Sequence, residues 1–523
     1  MKWITIQPGG GRFANQVIMY MAALAIAEKI GGAEICGVGF PQWNIAEIAP
    51  PAEAQDTIII NHPDVYNLAV LAAAVKDKPS VNIILNFHAQ NIGNLLDLSR
   101  YRQIFPVLHR DVPVYDEEHL LIHIRAGDIL DGAWAWFPLL PVNFIRDVVT
   151  ATGKIPVFMG ELDDGPYVRQ LRAAFPAAVF LPQASLMRDF DMMRQAKNIL
   201  VGISTFSWLA AWLGEAETIH LPLTGFYNPA HMSHIDLLPV NDARYRFYLF
   251  PFYEAVPEVE ALKVHEKLSG WWKQISAAQL RGIMTDRPRI KATERIDVDR
   301  YWYLGAYPDA GLAISEGKYE NAAAHYAHVG RKAGYLPLAP LVIADVPLAA
   351  NLALRKPATQ SSTWEGAAAR PPELDAAGAV DGDVTKAQGF HTAIEANPWW
   401  MVDLLAPHLL YAVHIYNRSD HYHIRARASP LVLLGSLDQQ DWTALLRTAP
   451  GELFGAERGP LVWQAAQPFT ARYVKIMLNH PRQYLHLAQV AVFGVAVEPR
   501  QPGNADGFAQ AGDLKLPLRE EIN

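Results

Sequence analysis

The hydrophobic pattern of this chain changes its period twice, and no single core can accommodate both changes. Up to about residue 250, short β-rich runs at 2–7, 57–61, 81–87, 120–124, 155–159 and 198–201 alternate with stretches of helical spacing such as 17–30. Alternation of that kind predicts an α/β architecture with parallel sheets. From 257 to 335 the strand signal vanishes, and two short amphipathic helices flank Glu316-Gly317-Lys318. Beyond the proline-rich stretch 336–347, the texture turns to short β segments at 400–404, 411–417, 431–436, 473–478 and 489–494, the pattern of a β-sandwich. The expected division is an α/β region over 1–256, a helical connector over 257–347, a β-sandwich over 348–497 and a flexible tail over 498–523.

Charge and cysteine content narrow the function classes. With 45 basic and 53 acidic side chains the net charge is −8, which gives no general attraction to nucleic acid or to an anionic membrane. Cys36 is the only cysteine, so no internal disulfide forms, in keeping with a reducing compartment. The first residues lack a signal-peptide pattern, and the most apolar early window, 17–30, is too short to span a bilayer. The expectation is a bacterial-type cytoplasmic protein without a transmembrane segment, at most peripheral to the inner membrane.

The C-terminal region carries the more specific constellation. Asn351-Leu-Ala-Leu-Arg-Lys-Pro opens it, Ala379-Val-Asp-Gly follows, and His391 leads into Asn397-Pro-Trp-Trp-Met-Val-Asp-Leu404. After His391 come 26 residues, then Arg418-Ser-Asp420, then four residues and Arg425. Guanidinium and imidazole groups supply fixed donors for sugar oxygens, and Asp420 can orient an arginine. This order resembles the F-type lectins of the discoidin (F5/8 type C) family, and the spacing is similar to their fucose-binding pattern. The resemblance implies a jelly-roll sandwich with a glycan site of His391, Arg418, Asp420, Tyr422 and Arg425, where His421 and Tyr422 stand in place of a cysteine pair found in many relatives. It also implies a calcium site near Asp381 and Asp383, weakened by Gln489 where relatives place an acidic ligand.

Three motifs lie in the α/β half. Gly9-Gly10-Gly11-Arg12-Phe13-Ala14-Asn15-Gln16 precedes a helix, His123-Ile-Arg125-Ala-Gly-Asp128 ends a strand, and Ser204-Thr205-Phe206-Ser207-Trp208 opens another helix. Taken singly, these are a tight turn, an ion pair and an N-cap. Together they resemble the fucosyltransferases of glycosyltransferase family 11. That resemblance implies two facing Rossmann-like domains (GT-B) and an inverting transfer of L-fucose from GDP-fucose to a glycan hydroxyl, by family default galactose O2. Arg125 would hold the pyrophosphate with the helix at Ser204, and the nucleotide-sugar site would comprise Gly10, Gly11, Asn15, Gln16, His123, Arg125, Ser204, Thr205, Phe206, Ser207 and Trp208. Asp128, Asp131, Glu161 and Asp163 are carboxylates near expected strand ends that could act as base; Asp128 is the preferred one, with a partner role to Arg125 equally open, and Ala126 replaces a second arginine of many relatives. No compact DxD motif suits a catalytic cation, so no cofactor is expected beyond the GDP-sugar donor. His231, His234 and Asp236 read as loop or acceptor-site residues, not a metal site. The helical hairpin near Gly317 resembles one tetratricopeptide-type unit, which cannot bury its face alone and should pack on a neighbour. The partners implied are a GDP-sugar, an oligosaccharide or polysaccharide acceptor, and a fucosylated glycan. Two alternatives stand beside this reading: a non-catalytic glycan-binding protein with a degenerate transferase half, and a transferase using another nucleotide sugar.

Overall fold

The computed structural model describes residues 1–7, 12–61, 67–132, 134–232, 234–285, 289–345, 347, 350–366 and 371–497. Gly10, Gly11 and the tail 498–523 lie outside the described residues.

The N-terminal half contains two sheets. The first holds β1 (Lys2–Ile6), β2 (Glu34–Cys36), β3 (Asp56–Ile60) and β4 (Val81–Leu85), all parallel, in the order β2-β1-β4-β3. The second holds β5 (His119–Ile124), β6 (Ile155–Gly160), β7 (Val179–Phe180), β8 (Asn198–Leu200), β9 (Thr218–Leu223), β10 (Tyr245–Leu249) and β11 (Lys273–Ile275). Its order is β11-β10-β9-β8-β5-β6-β7, parallel except where β11 runs antiparallel to β10. Parallel neighbours need crossovers, and helices supply them, covering both sheet faces. That is why β5 reads His-Leu-Leu-Ile-His-Ile without alternation, with Leu120, Leu121 and Ile122 all fully buried. One apolar core runs through both sheets.

Strand β11 falls in the segment expected to be purely helical. The second sheet therefore extends to Ile275, and the helix Glu258–Leu268 packs against the helix Pro166–Ala174 of the α/β half. The helices Arg300–Ala306, Pro308–Ser315 and Ala322–His325 share a small core of Tyr303, Leu304, Ala310, Ile314 and Ala322. Phe252 and Ala230, from the α/β half, pack against that core.

The C-terminal domain is antiparallel. It contains β12 (Ala358–Gln360), β13 (Phe390–His391), β14 (Trp399–Tyr416), β15 (Leu431–Ser436), β16 (Thr443–Arg447), β17 (Leu461–Leu478), β18 (His486–Leu487) and β19 (Gln489–Ala496). The order is β12-β14-β17-β15-β16 with β19 beside β14, while β13 and β18 form a separate ribbon. Where two separate strands were expected at 400–404 and 411–417, β14 is one strand of 18 residues. Its pairing with β17 shifts register between Asp403 and His408 and again between Leu410 and Ala412. Such irregularities bend a strand, which lets one continuous segment serve successive parts of the sandwich. Trp400, Val402, Val413, Ile415, Val474 and Ile476 fill the core between.

Among the described residues, no helix is long and apolar enough to cross a membrane.

Candidate functional site

Two places gather the residues singled out in the sequence. The first is a cleft of about 650 Å³ lined from both α/β sheets. Arg12 and Asn15 follow the carboxyl end of β1, Phe87 and Gln90 follow β4, Arg125 and Asp128 follow β5, Glu161 follows β6, and Ser204 to Phe206 follow β8. Open α/β sheets bind ligands in the crevice outside the carboxyl ends of their strands.

Arg125 is the best-held cation of the cleft. Its guanidinium lies 4.2 Å over the Phe137 ring, donates to Asp128 at 3.2 Å and leaves its side chain 13% exposed. Asp128 in turn accepts from Arg12 at 2.7 Å, so one carboxylate joins a guanidinium from each sheet. Burial raises the pKa of Asp128, but Arg125 and Arg12 outweigh it and hold the carboxyl below its ordinary range. A carboxylate so stabilised is a poor proton acceptor, which favours the pairing role over the role of base.

His123 is buried beside Phe206, and burial followed by the charge of Arg125 pushes its pKa down to about 4. It is neutral near pH 7. Gly202 is needed there: a Cβ would stand 2.6 Å from the His123 carbonyl oxygen and 2.8 Å from its Nδ1. Ser204 caps the helix Thr205–Leu213, its Oγ accepting from the Phe206 amide at 3.2 Å.

Three expected members do not line the cleft. Ser207 is fully buried and donates to the carbonyls of Gly202 and Ser204, which closes the turn behind the cap. Trp208 is fully buried and donates to the Leu237 carbonyl at 2.6 Å. Gln16 sits on the helix Phe13–Lys29 away from the described lining residues, whereas Asn15 is in the cleft and accepts from Gln90 at 3.1 Å. Arg12 joins the lining although it is not among the expected site residues, and Glu161, one of the carboxylates considered as base, lines it too; Glu161 accepts from the Ala126 and Gly127 amides. Trp134, 50% exposed, and Trp136 stand at the cleft. Of the HMSHID residues, His234 lines the cleft, His231 packs 4.7 Å from the Phe252 ring, and Asp236 accepts from the Leu238 amide.

The second place is a cluster of side chains on and around the β13–β18 ribbon of the C-terminal domain. His391 lies on β13 opposite His486 of β18, with the rings of Trp364 and Tyr484 at 5.3 and 5.1 Å. Its Nδ1 faces the Thr392 carbonyl at 2.8 Å, so Nδ1 carries the proton and Nε2 is left as an acceptor. Burial lowers the His391 pKa, with Arg418 and Arg427 adding to this against the opposing Thr392 carbonyl. Arg418 donates through Nε to Asp420 at 2.9 Å and through Nη1 to Gln388 at 2.6 Å. Arg427 lies 5.9 Å over the Tyr484 ring.

Arg425 and Tyr422 are corrected here. The helical turn Tyr422–Arg425 rotates both away from His391. Arg425 is 1% exposed, 3.7 Å from Asp299 and 3.6 Å from Glu457. Tyr422 stacks on Tyr301 of the connector with ring centroids 5.8 Å apart. Motif spacing counts residues along the chain, but a helical turn decides which of them face His391, and it is Arg427 rather than Arg425 whose charge acts on that imidazole.

The calcium site is the other correction. The Lys386 ammonium sits 2.6 Å from Asp381 Oδ2 and also donates to the Gly378 carbonyl. The Gln489 amide, oriented to satisfy its neighbours, donates to Asp381 Oδ1 at 3.1 Å and to the Ala379 carbonyl, and accepts from the Gly382 amide. Asp383 is occupied by the amide and hydroxyl of Thr385. A hard divalent cation needs several oxygen ligands and excess negative charge, and here an ammonium already neutralises the Asp381 carboxylate while a neutral amide occupies its other oxygen. The residues present do not fit calcium. Among the described residues there is no group of three or more His, Cys, Asp or Glu side chains that could hold a metal ion.

Comparison with known proteins falls on the same domain. The family described as F5/8 type C domain matches residues 357–491. Fucolectin-1 of Anguilla japonica is 30% identical over 162 residues, covering 30% of this chain and 89% of the fucolectin. Fucolectin-4 of the same species is 34% identical over 146 residues, covering 27% of this chain and 78% of its own length. Among solved structures, the lectin domain of lectinolysin complexed with Lewis B antigen is 32% identical, covers 28% of this chain and 98% of that domain, and has a TM-score of 0.23.

Proposed function

Because its C-terminal domain makes this chain a member of the F5/8 type C family, we propose that the His391, Arg418 and Arg427 pocket binds fucose-bearing glycans. The observation that carries this reading is the juxtaposition of two guanidiniums, a neutral imidazole and two aromatic rings in one pocket. Arg418, held by Asp420, donates to ring and hydroxyl oxygens. His391 Nε2 accepts from a hydroxyl, and Trp364 and Tyr484 offer apolar faces to the sugar's C–H groups. A glycan array probed with the full chain tests it, with Arg418→Ala as the control; no binding to any fucosylated structure overturns it.

For the α/β half the reading is a GT-B-like fucosyltransferase that takes L-fucose from GDP-fucose, with inversion, to a glycan hydroxyl. What supports it is the convergence of Asn15, His123, Arg125 and the capped helix at Ser204 on one cleft between two parallel sheets. In that cleft Arg125 and the free amides of the helix Thr205–Leu213 would stabilise charge growing on the diphosphate leaving group. Arg12 brings a second guanidinium from the other sheet, compensating for Ala126. Trp134 and Trp136 would then face the acceptor. Calorimetry against GDP-fucose, GDP-mannose and UDP-sugars, followed by assays of donor hydrolysis and transfer, tests this. Absence of any GDP binding favours the second reading, a glycan-binding protein with a degenerate transferase half, to which Ala126 points.

A further inference from the structure

The segment 418–427 has two faces. One carries Arg418, Asp420 and Arg427 to the pocket of His391. The other carries Tyr422 and Arg425 into the connector, where both meet a single residue, Asp299. Asp299 is 1% exposed. Its Oδ1 caps the helix Arg300–Ala306 by accepting from the Trp302 amide at 3.3 Å. Its Oδ2 accepts from the Tyr422 amide at 2.6 Å and lies 3.7 Å from the Arg425 guanidinium. Around this hub, Tyr301 stacks on Tyr422, His421 approaches Asp297 at 3.1 Å, and Arg458 forms a forked pair with Glu260 of the α/β half.

A buried guanidinium is tolerated only with its charge compensated, so Arg425 fixes the turn only while Asp299 and Glu457 face it. Asp299 is also committed to the first turn of a connector helix. The backbone carrying Arg418 and Arg427 is therefore referenced to the connector as well as to the sandwich.

We infer that Asp299 is a positioning residue for the sugar pocket, making the helical connector part of the binding site and coupling glycan occupancy to the contact between sandwich and connector. The inference rests on reading the His391, Arg418 and Arg427 pocket as the sugar site. Coupling of this kind is reciprocal: if the contact helps to order the pocket, a bound sugar must tighten the contact.

The test uses the full chain with methyl α-L-fucoside and a Lewis b oligosaccharide as probes. Asp299→Ala is expected to weaken binding on the order of tenfold. Asp299→Asn, which keeps an acceptor for the Tyr422 amide, should recover part of the loss. In the wild-type protein, hydrogen exchange of the helix Arg300–Ala306 should slow when the sugar is added. In Arg418→Ala, which removes a pocket donor and leaves the hub intact, the sugar should have no such effect. A merely structural role for Asp299 would not move connector exchange on ligand binding. Wild-type chain that binds the sugar without slowing connector exchange overturns the inference alone, even if Asp299→Ala fails to fold, and so does an Asp299→Ala variant that folds and binds as tightly as wild type. Wild-type chain that binds neither probe and no fucosylated glycan overturns the sugar-site reading and this inference together.

Discussion

Arg12 and Asp128 form a 2.7 Å ion pair between loops that follow strands of different sheets, and the same guanidinium lies 3.9 Å from Glu161, so Arg12 links the two sides of the cleft through two carboxylates. Both partners are largely solvated, with side chains 68% and 47% exposed, so the pair contributes little to stability. Arg12→Ala is expected to leave the melting temperature nearly unchanged and to weaken GDP binding. Arg125→Ala removes the shielded donor and should reduce transfer about 10²- to 10³-fold. Calorimetry and initial rates on the two variants check both statements.

The sugar pocket separates the two candidate arginines cleanly. Arg427→Ala should reduce affinity for a fucosylated oligosaccharide with no loss of thermal stability. Arg425→Ala should lower the melting temperature, because it leaves Asp299 and Glu457 facing each other without their shared cation. Equal effects of the two substitutions on both measurements would refute the assignment of Arg427 to the pocket.

Chelators give a third measurement. With Lys386 and Gln489 occupying the surroundings of Asp381, EDTA should change neither the affinity for fucosylated glycans nor the unfolding midpoint. The double variant Lys386→Ala, Gln489→Glu removes one ammonium and adds a carboxylate, and calcium should then raise its melting temperature.

Stability should fall with acid in a defined window. His123 and His265 are buried and His231 is half-buried, and loss of solvent is the first cause that pushes their pKa down to about 4 from an ordinary 6.5. The unfolded chain takes up these protons below about pH 6.5, while the folded chain resists until about pH 4. The stabilisation is therefore complete above pH 6.5 and is lost as pH falls toward 4. Denaturant midpoints at pH 7, 6 and 5 should decline, and His265→Phe should flatten the decline.

Much of this molecule was legible from periodicity. The α/β alternation and the β-rich C-terminal domain each correspond to a pattern that burial on one or both faces imposes on a sequence, whereas the segment read as purely helical carries β11. What escaped reading depends on geometry that spacing does not encode. Ser207 and Trp208 sit within the motif that lines the cleft, yet helical rotation points them inward, while Arg12 enters the cleft only because two sheets face each other. Arg425 fits the lectin spacing and Arg427 does not, but a single helical turn reverses their positions. Lys386 could not be placed beside Asp381 from sequence, since surface lysines carry no periodic signal.

The continuous β14 has a mechanical consequence. Its first residues pair with the end of β17 and its last with both the start of β17 and β19, so one peptide backbone runs through the whole sandwich. Strands β12, β17 and β19 all hydrogen-bond to β14, so tension on either end of that strand is carried to three neighbours at once. That part of the sheet should therefore give way as a unit under pulling force, whereas β16, which pairs with β15, and the β13–β18 ribbon are not tied to it directly.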